Sequence, residues 1–336
     1  VLGIAIYFID YTKLSKYPNI FYLIATGTII YALVFGVNVN GIPYIYATIS
    51  ITFSPAVIAI PLYIIAFVGF INNLNKENKL SEIISKYINI KVNMNLVKII
   101  ILSILSLGFL ALIPSMASVL VLGLTYLILA TVKIMQVKEN KIKNIVKLWG
   151  TVTIVGMCLL IFILVTSPFI LERITVTTNP ESDPHGGGWV AMNRKTIIES
   201  AKMFGEAENK SNALYLFDEG TDFAFISILA HYGWTVSIAI VLAIIALSIK
   251  LILNAIKIKD NYGKLLIIGI SSMFILHAIF NILMNLNLWI ESGFNFPFVS
   301  YGGANLVINM MSLALILSIY RKKDIIIMQN MPFEKE

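Results

Sequence analysis

Charge and cysteine are both scarce in this sequence. Only 13% of the 336 residues are charged, whereas 58% are hydrophobic. A soluble domain of this composition would have to bury nearly all of its long apolar runs, so we predict an integral membrane protein. The single cysteine, Cys158, lies inside such a run, which excludes a disulfide framework and a cysteine-based metal site. Phosphate-binding loops, zinc-type histidine clusters and Ser/His/Asp arrangements are also absent from the sequence.

The apolar runs are the dominant feature of the sequence. They fall at 1–9, 20–38, 44–70, 97–113, 116–135, 149–170, 223–252, 265–287 and 301–320. Most are long enough to cross a bilayer core of about 30 Å, so we predict an all-α polytopic protein with about nine spans, the first of them partial. The start has no initiator Met and no signal-peptide pattern, and we expect the chain to begin inside a helix.

The cations alternate between successive connections. Most of the 25 Lys and Arg residues lie in 10–19, 71–96, 133–148, 250–264 and 321–336, and none lies in 39–43, 114–115 or 288–300. The positive-inside tendency places the first set in the cytoplasm, so the C-terminus is predicted cytoplasmic and the long connection 171–222 extracytoplasmic. Stretches 71–96 and 133–148 are predicted to be amphipathic and to lie on the inner leaflet. Residues 1–336 then form one transmembrane domain, and the net charge of +7 does not indicate a nucleic-acid partner.

The long connection is the first candidate region for a function. About fifty residues between two spans usually carry function, although a solvated loop with a short interfacial helix at 192–204 is the structural alternative. Three acids, Asp218, Glu219 and Asp222, crowd its end, so at least one of their pKa values should rise. Asp222 stands at the expected water–lipid boundary. There, either Thr221 or Asp222 caps the next helix, or Asp222 is a general base facing a lipid headgroup.

Polar residues inside the spans form a second group of candidates. Each of the three histidines is predicted to be packed or interfacial and not a metal ligand, because they lie far apart in the sequence. The intramembrane polar groups suit a headgroup path, but we expect helix–helix hydrogen bonds from them. These groups are His277, Asn281, Asn285, Asn305 and Asn309.

Four segments together resemble the SEDS family of bacterial cell-wall proteins (FtsW, RodA and SpoVE). "FPFVSYGGANLVINMMSLALILSIYRK" is similar to the family's "LPF(I/V)SYGG(S/T)S" and its last helix, and "TDFAFISILAHYGW" is similar to "TDFIFAVIxEExG". "LERITVTTNPESDPHGGGW" resembles "R(I/L)xxFxNPxxDPxGxGYQ", and "NGIPYIYATISITFSPAVIAI" more weakly resembles "NGAxRWIxLGxxxxQPSELxK". Their order and spacing agree with the family, and the resemblance covers essentially the whole chain.

The resemblance implies a fold, an activity and partners. Family members are helical bundles with ten transmembrane helices, so this chain would lack the first. The implied activity is that of a peptidoglycan glycosyltransferase of the bacterial plasma membrane, which polymerises lipid II for cell shape, division or sporulation. The implied partners are lipid II (the undecaprenyl-pyrophosphate-linked disaccharide pentapeptide), a class B penicillin-binding protein and membrane lipids. The Asp of the family's "TDF" corresponds to Asp222, which would be the catalytic general base.

Substrate-binding candidates follow partly from the resemblance and partly from the residues. The pyrophosphate leaving group gathers negative charge, so cations or a divalent metal (Mg²⁺ or Mn²⁺) are expected near it, although no protein metal-ligand set is predicted. Arg173 matches the family's loop Arg, whereas Arg194 and Lys195 are inferred from their place in the loop. The full predicted set is Arg173, Asp183, Trp189, Arg194, Lys195, Asp218, Pro297, Ser300, Tyr301, Gly302 and Gly303.

Departures from the family pattern bear on activity. Where "QPSELxK" has a Glu and a Lys, this chain has Val57 and Ile60, so a membrane-buried charge pair is absent. That loss argues for altered or lost polymerase activity, and the presence of Asp222 argues against it. Two alternatives therefore stand beside the enzyme: a catalytically silent scaffold for a class B penicillin-binding protein, and a flippase for lipid II. Further replacements of family residues are Ser115, Gly220, Ala230 and His231.

Overall fold

The computed structural model describes most of the chain. The described residues are 2–39, 42–48, 51–74, 94–113, 115–136, 168–211 and 220–329, with scattered positions between 146 and 161. These parts form a helical bundle in which seven helices are long and apolar enough to cross a membrane. The predicted polytopic helical bundle is confirmed, and a small three-stranded sheet accompanies the helices.

The elements follow the order of the apolar runs. The first part contains α1 (Leu2–Phe8), α2 (Tyr11–Leu14), α3 (Pro18–Phe35), β1 (Val37–Val39), β2 (Ile42–Thr48), β3 (Ile51–Phe53), α4 (Pro55–Asn72), α5 (Met94–Leu112) and α6 (Met116–Gln136). The second part contains α7 (Pro168–Thr178), a 3₁₀ turn (Pro180–Ser182), α8 (Gly187–Ser200), α9 (Ala224–Ile256), α10 (Asn261–Asn285) and α11 (Gly303–Gln329). The seven spans are α3, α4, α5, α6, α9, α10 and α11.

The apolar run 44–70 is not one helix, contrary to the prediction. Its first part belongs to a small antiparallel sheet, in which Val37 pairs with Tyr44, and Ile45 pairs with Phe53. β-branched and aromatic residues favour these strands, whereas Pro55 suits the first turn of a helix, where its missing N–H has no partner to lose. The span therefore shortens to the 18 residues of α4.

The first predicted span is short, and some other predicted segments lie mainly outside the described residues. The run 1–9 contains the seven-residue helix α1. The run 149–170 is described only at scattered helical positions and at the start of α7. Most of the basic stretches 71–96 and 133–148 also lies outside the described residues, so their predicted amphipathic helices stay predictions.

Helices α4 and α10 form the centre of the bundle. α4 is buried along most of its length and packs against α3, α6 and α10. Gly269 of α10 permits this close packing, because a Cβ built there would lie 2.7 Å from Ile64 Cγ2 and 3.2 Å from Leu129 Cδ1. By contrast, α9 is mostly exposed and apolar, as expected of a helix facing lipid.

Buried hydroxyl groups join the helices of the first half. Thr26 Oγ1 and Tyr63 OH are 3.0 Å apart, and so are Ser106 Oγ and Tyr126 OH. Phe67 stacks on Tyr126 with ring centroids 4.1 Å apart. Interhelical hydrogen bonds satisfy such groups where the bilayer supplies no water.

The two ends of the described chain meet at one end of the bundle. α1 packs along α11, and Lys322 Nζ lies 2.7 Å from Asp10 Oδ2. Burial alone would raise the pKa of Asp10, but hydrogen bonds from Lys322 and Thr12 and the charge of Lys322 lower that pKa to about 2. Because the folded pKa is depressed, this contribution to stability is present at neutral pH and is lost as the pH falls toward 2.

We expect Gly269→Leu to destabilise the bundle, because the added side chain must displace Ile64 and Leu129. Overpacking of this kind costs about 1–3 kcal/mol. Gly108→Leu is the matched control, since a Cβ at Gly108 meets no atom within 4 Å. Thermal unfolding in detergent should show a lower midpoint for Gly269→Leu only. Equal midpoints for the two variants would contradict the packing described for α10.

Candidate functional site

A cavity of about 630 Å³ opens at the end of the bundle where α4 and α11 begin and α10 ends. Its lining combines charged and polar side chains with apolar ones, which suits an amphipathic ligand. The polar lining includes Arg173, Thr221, Asp222, His277, Glu291, Ser292, Asn295, Tyr301, Asn305 and Asn309. The apolar lining includes Val57, Ile60, Pro61, Met273 and Ile308.

Two buried amides hold the backbone of Asp222. Asn281 Nδ2 and Asn285 Nδ2 donate to the Asp222 carbonyl at 2.8 and 2.9 Å, and both asparagines are fully buried. Asn285 Oδ1 accepts from the Ile226 amide at 3.3 Å, and Asn281 Nδ2 also donates to the carbonyl of Phe294. Asn285 therefore makes the helix–helix hydrogen bond expected of it, to Ile226 of α9, whereas Asn281 binds the connections before α9 and after α10. Together the two side chains fix the start of α9.

The aromatic turn before α11 is tied to the same segment. Ser300 Oγ donates to the Thr221 carbonyl at 2.5 Å and accepts from the Phe296 amide at 2.7 Å. The Tyr301 amide donates to the Gly220 carbonyl at 2.5 Å. Ser300 thus acts on the backbone beside Asp222, whereas Tyr301 lines the cavity and is 81% exposed.

The carboxylate of Asp222 lies at the cavity wall. α9 begins at Ala224 with Phe223 as its N-cap, and Phe223 makes no side-chain capping bond. The cap position is therefore not Thr221 or Asp222. A Cβ built on Gly293 would lie 3.5 Å from Asp222 Oδ2, which places this carboxylate against the connection after α10.

Two arginines converge on Glu291. Arg173 NH1 donates to the Glu291 carbonyl at 3.1 Å, and Arg194 NH1 lies 3.7 Å from Glu291 Oε2. Arg194 is 2% exposed, with its guanidinium 5.0 Å from the centroid of the Phe223 ring. Burial lowers the pKa of Arg194, and the charge of Glu291 opposes that shift. Arg194 therefore contacts Glu291 from outside the cavity lining, whereas Arg173 is part of the lining.

Asp183 lies at the start of α8 and not in the cavity wall. Its Oδ2 accepts from the Gly187 amide at 2.7 Å. A Cβ on Gly188 would lie 1.9 Å from the Pro180 carbonyl oxygen, so this close approach requires glycine. These contacts start α8 at Gly187 and not at 192, and the helix ends at Ser200 and not at 204.

The segment after α8 is fixed to a break in α9. Gly233 has φ 80° and ψ −179°, which interrupts the helix. The amides of Trp234 and Thr235 donate to the carbonyls of Lys202 and Met203, each at 3.0 Å. A Cβ on Gly233 would lie 2.6 Å from the Lys202 carbonyl oxygen, so a side chain would disrupt this junction.

The structure brings together some of the predicted substrate-binding residues and not others. Lys195 is exposed and lies 3.9 Å from Glu199 on its own helix. Asp218 lies outside the described residues. The cavity lining includes Arg173, Asp222, Pro297, Tyr301 and Gly302, and it does not include Asp183, Trp189, Arg194, Lys195, Ser300 or Gly303.

Glu291 is a cavity residue that the sequence reasoning missed. It could have been noticed, because it is the only acidic residue between Asp260 and Asp324. His277, Asn305 and Asn309 were recognised only as intramembrane polar groups, and all three line the cavity.

Comparison with known proteins identifies the family. A family model for FtsW, RodA and SpoVE, described as cell cycle protein, matches residues 1–325. The chain belongs to this family. It is 32% identical over 171 residues to the probable peptidoglycan glycosyltransferase FtsW of Trichlorobacter lovleyi, covering 49% of this chain and 44% of the relative. It is 27% identical over 170 residues to the stage V sporulation protein E of Bacillus subtilis, covering 50% and 46%. The aligned part therefore spans less than half of each of these two relatives.

Two solved structures show the same fold. A chain from a peptidoglycan synthase complex matches with a TM-score of 0.70 and 18% identity, covering 96% of this chain and 86% of that one. The rod shape determining protein RodA of Thermus thermophilus matches with a TM-score of 0.63 and 14% identity, covering 96% and 83%. The protein is thus a multi-pass membrane protein of the FtsW/RodA/SpoVE fold.

The described cavity lining contains few side chains that could bind a divalent cation. Among the described residues, no group of three His, Cys, Asp or Glu side chains could hold a metal ion. Mg²⁺ nevertheless binds through one or two carboxylates together with substrate phosphates. In the described lining, Asp222 and Glu291 are the two carboxylates that a divalent cation could use.

Asn285→Ala should loosen the start of α9, because the Ile226 amide and the Asp222 carbonyl each lose a partner. An unsatisfied buried polar group costs about 1–3 kcal/mol. We therefore expect exchange of the Ile226 amide hydrogen to become about tenfold faster or more. Hydrogen–deuterium exchange of residues 220–226 measures this. Ser272→Ala is the control, since Ser272 donates only within its own helix, to the Ile268 carbonyl. Unchanged exchange in Asn285→Ala would show that the amide does not hold Asp222.

Proposed function

We propose that the protein is a peptidoglycan glycosyltransferase that polymerises lipid II, with Asp222 as general base. The observation that carries this proposal is the position of Asp222: it lines a cavity whose charged groups lie outside the spanning helices, whereas the spanning helices supply apolar lining residues such as Val57, Ile60 and Ile308. A lipid-linked sugar matches that polarity, with its sugars at the mouth and its lipid along the apolar wall. Family membership and relatives named as peptidoglycan glycosyltransferases support the same activity.

The proposed step is a direct displacement at the donor sugar. The acceptor hydroxyl oxygen forms a bond to the anomeric carbon of the donor while the bond from that carbon to the diphosphate oxygen breaks. Asp222 takes the hydroxyl proton, and the diphosphate leaves with the bonding electrons on the opposite face. The hydrogen bonds from Asn281 and Asn285 to the Asp222 backbone keep the acid in place.

The charge of the cavity lining supports the proposal that the reaction requires a divalent cation. Its described charged groups are Arg173, Asp222 and Glu291, so carboxylates outnumber cations. A diphosphate leaving group adds negative charge, which Mg²⁺ or Mn²⁺ bound with the substrate would offset.

A catalytically silent scaffold is the second candidate. The observation that favours it is the apolar wall formed by Val57 and Ile60, where the resemblance leads us to expect a Glu and a Lys. A scaffold would use the same helices to bind a class B penicillin-binding protein, the partner we also propose for the enzyme. The match to a chain from a peptidoglycan synthase complex supports such an assembly in either case.

Asp222→Asn should abolish glycan synthesis, because the amide keeps the volume of the side chain but cannot accept the proton. We expect the rate to fall at least about a hundredfold. The assay combines purified full-length protein, fluorescent lipid II and the cognate penicillin-binding protein, and measures glycan ladders on gels.

Glu206→Gln is the matched control for this assay, since Glu206 lies on the exposed loop beside Lys210 and away from the cavity. Equal ladders from wild type and Asp222→Asn would refute the base assignment. If wild type makes no glycan ladders but still binds the penicillin-binding protein, the result supports the scaffold and refutes the enzyme.

We also propose that the cavity mouth faces outward and the C-terminus is cytoplasmic. Cys158 is the only cysteine in the sequence, so Cys158→Ser provides a background for single cysteines at two exposed positions. A membrane-impermeant maleimide on intact cells should label Asn209→Cys and not Lys259→Cys. Labelling of position 259 and not of position 209 would contradict the proposal and indicate the opposite orientation in the membrane.

A further inference from the structure

His277 is the titratable side chain deepest in the cavity. It lies within α10, whereas Arg173, Asp222 and Glu291 belong to α7 and to connections between helices. Met273, one turn away on the same face of α10, also lines the cavity. Among the titratable residues of the described lining, His277 is thus the one that belongs to a spanning helix.

The depth of His277 follows from the packing of α4 against α10. These helices run antiparallel, and Gly269 lies beside Ile64. Eight residues toward the Asp222 end, about 12 Å along each helix, bring α10 to His277 and α4 to Ala56. His277 is therefore level with Ala56 and Val57, so its imidazole is opposite a part of α4 that has no charged side chain.

The contacts of the imidazole indicate which nitrogen carries the proton. Nδ1 is buried and has no hydrogen-bond partner within the described parts of the chain, and the ring packs edge-on against Phe294 at 6.3 Å. Orphaned buried N–H groups are rarer than unsatisfied acceptors. We therefore assign the proton to Nε2, which makes the imidazole a neutral hydrogen-bond donor.

The donor lies in register with the proposed base. Asn281 is four residues beyond His277 on α10, about 6 Å along the axis, and its amide binds the Asp222 carbonyl. The imidazole is thus about one helical turn deeper than Asp222. In the proposed reaction, the diphosphate lies between the sugar at Asp222 and the lipid along Val57 and Ile60.

We propose that His277 Nε2–H donates a hydrogen bond to a phosphate oxygen of the lipid-linked diphosphate. This inference rests on the proposed function, because it takes Asp222 to mark the position of the donor sugar. A neutral donor adds no buried charge to the membrane interior, yet its bond to an anionic oxygen is stronger than a bond between neutral groups. His277 would then select for a phosphorylated lipid.

The test measures binding of undecaprenyl diphosphate to the purified full-length protein. His277→Leu removes the donor, and we expect about tenfold weaker binding or more, given the strength of hydrogen bonds to charged groups. His277→Gln keeps an N–H donor and should bind within a few-fold of wild type. Ser272→Ala, on the same helix, should bind as wild type does, and thermal unfolding checks that all three variants are folded.

Two further lipids identify the recognised group. Undecaprenol has no phosphate, so its binding should be the same in wild type and His277→Leu. Phosphatidylglycerol should compete much less well than undecaprenyl diphosphate, because the proposed site recognises the diphosphate of a polyprenyl lipid. Unchanged binding of undecaprenyl diphosphate to His277→Leu would overturn the proposal, and so would equal competition by phosphatidylglycerol.

The binding measurement requires no turnover, so its outcome is separate from that of the polymerisation assay. Binding that depends on His277, without glycan ladders, would refute the proposed activity and leave the diphosphate site. Ladders that depend on Asp222, with binding that does not depend on His277, would refute the diphosphate site alone.

Discussion

The site depends on how one backbone carbonyl is satisfied. Asp222 is the last residue before the N-cap of α9, and its carbonyl oxygen accepts from both Asn281 and Asn285. Both amides come from α10, a central helix of the bundle, so the position of the acid is set by a buried and well-packed element. Since Asn281 also donates to the Phe294 carbonyl, the same side chain holds the connection after α10, against which the Asp222 carboxylate lies.

The charged groups of the described cavity lining lie outside the spanning helices. At the mouth, Arg173 lines the wall and donates to the backbone of Glu291, while buried Arg194 approaches the Glu291 carboxylate from behind. Each arginine thus has a different task, although the sequence presents both as cations of the same loop. An uncompensated Arg194 would be costly at 2% exposure, so Glu291 is needed for the wall as well as for the charge of the lining.

The sequence predicted the features that depend on long-range composition. Apolar runs gave the spans because a bilayer core requires about twenty apolar residues, whatever their neighbours. The small sheet was harder to predict from the sequence, because strands 42–48 and 51–53 have the same apolar composition as the helix after Pro55. The roles of Asp183 and Ser300 could not be predicted either, since each depends on which backbone group lies within hydrogen-bond distance in the folded chain.

The replacement of the expected Glu and Lys by Val57 and Ile60 has a physical consequence for the whole cavity. A charge pair in the interior would need mutual contact and further hydrogen bonds to offset its desolvation. With the pair absent, the interior has no such requirement, and a neutral imidazole avoids the larger cost of burying an unpaired charge. The change at 57 and 60 and the histidine at 277 lie at the same end of two packed helices. In the described lining, the spanning helices thus supply no Lys, Arg, Asp or Glu side chain.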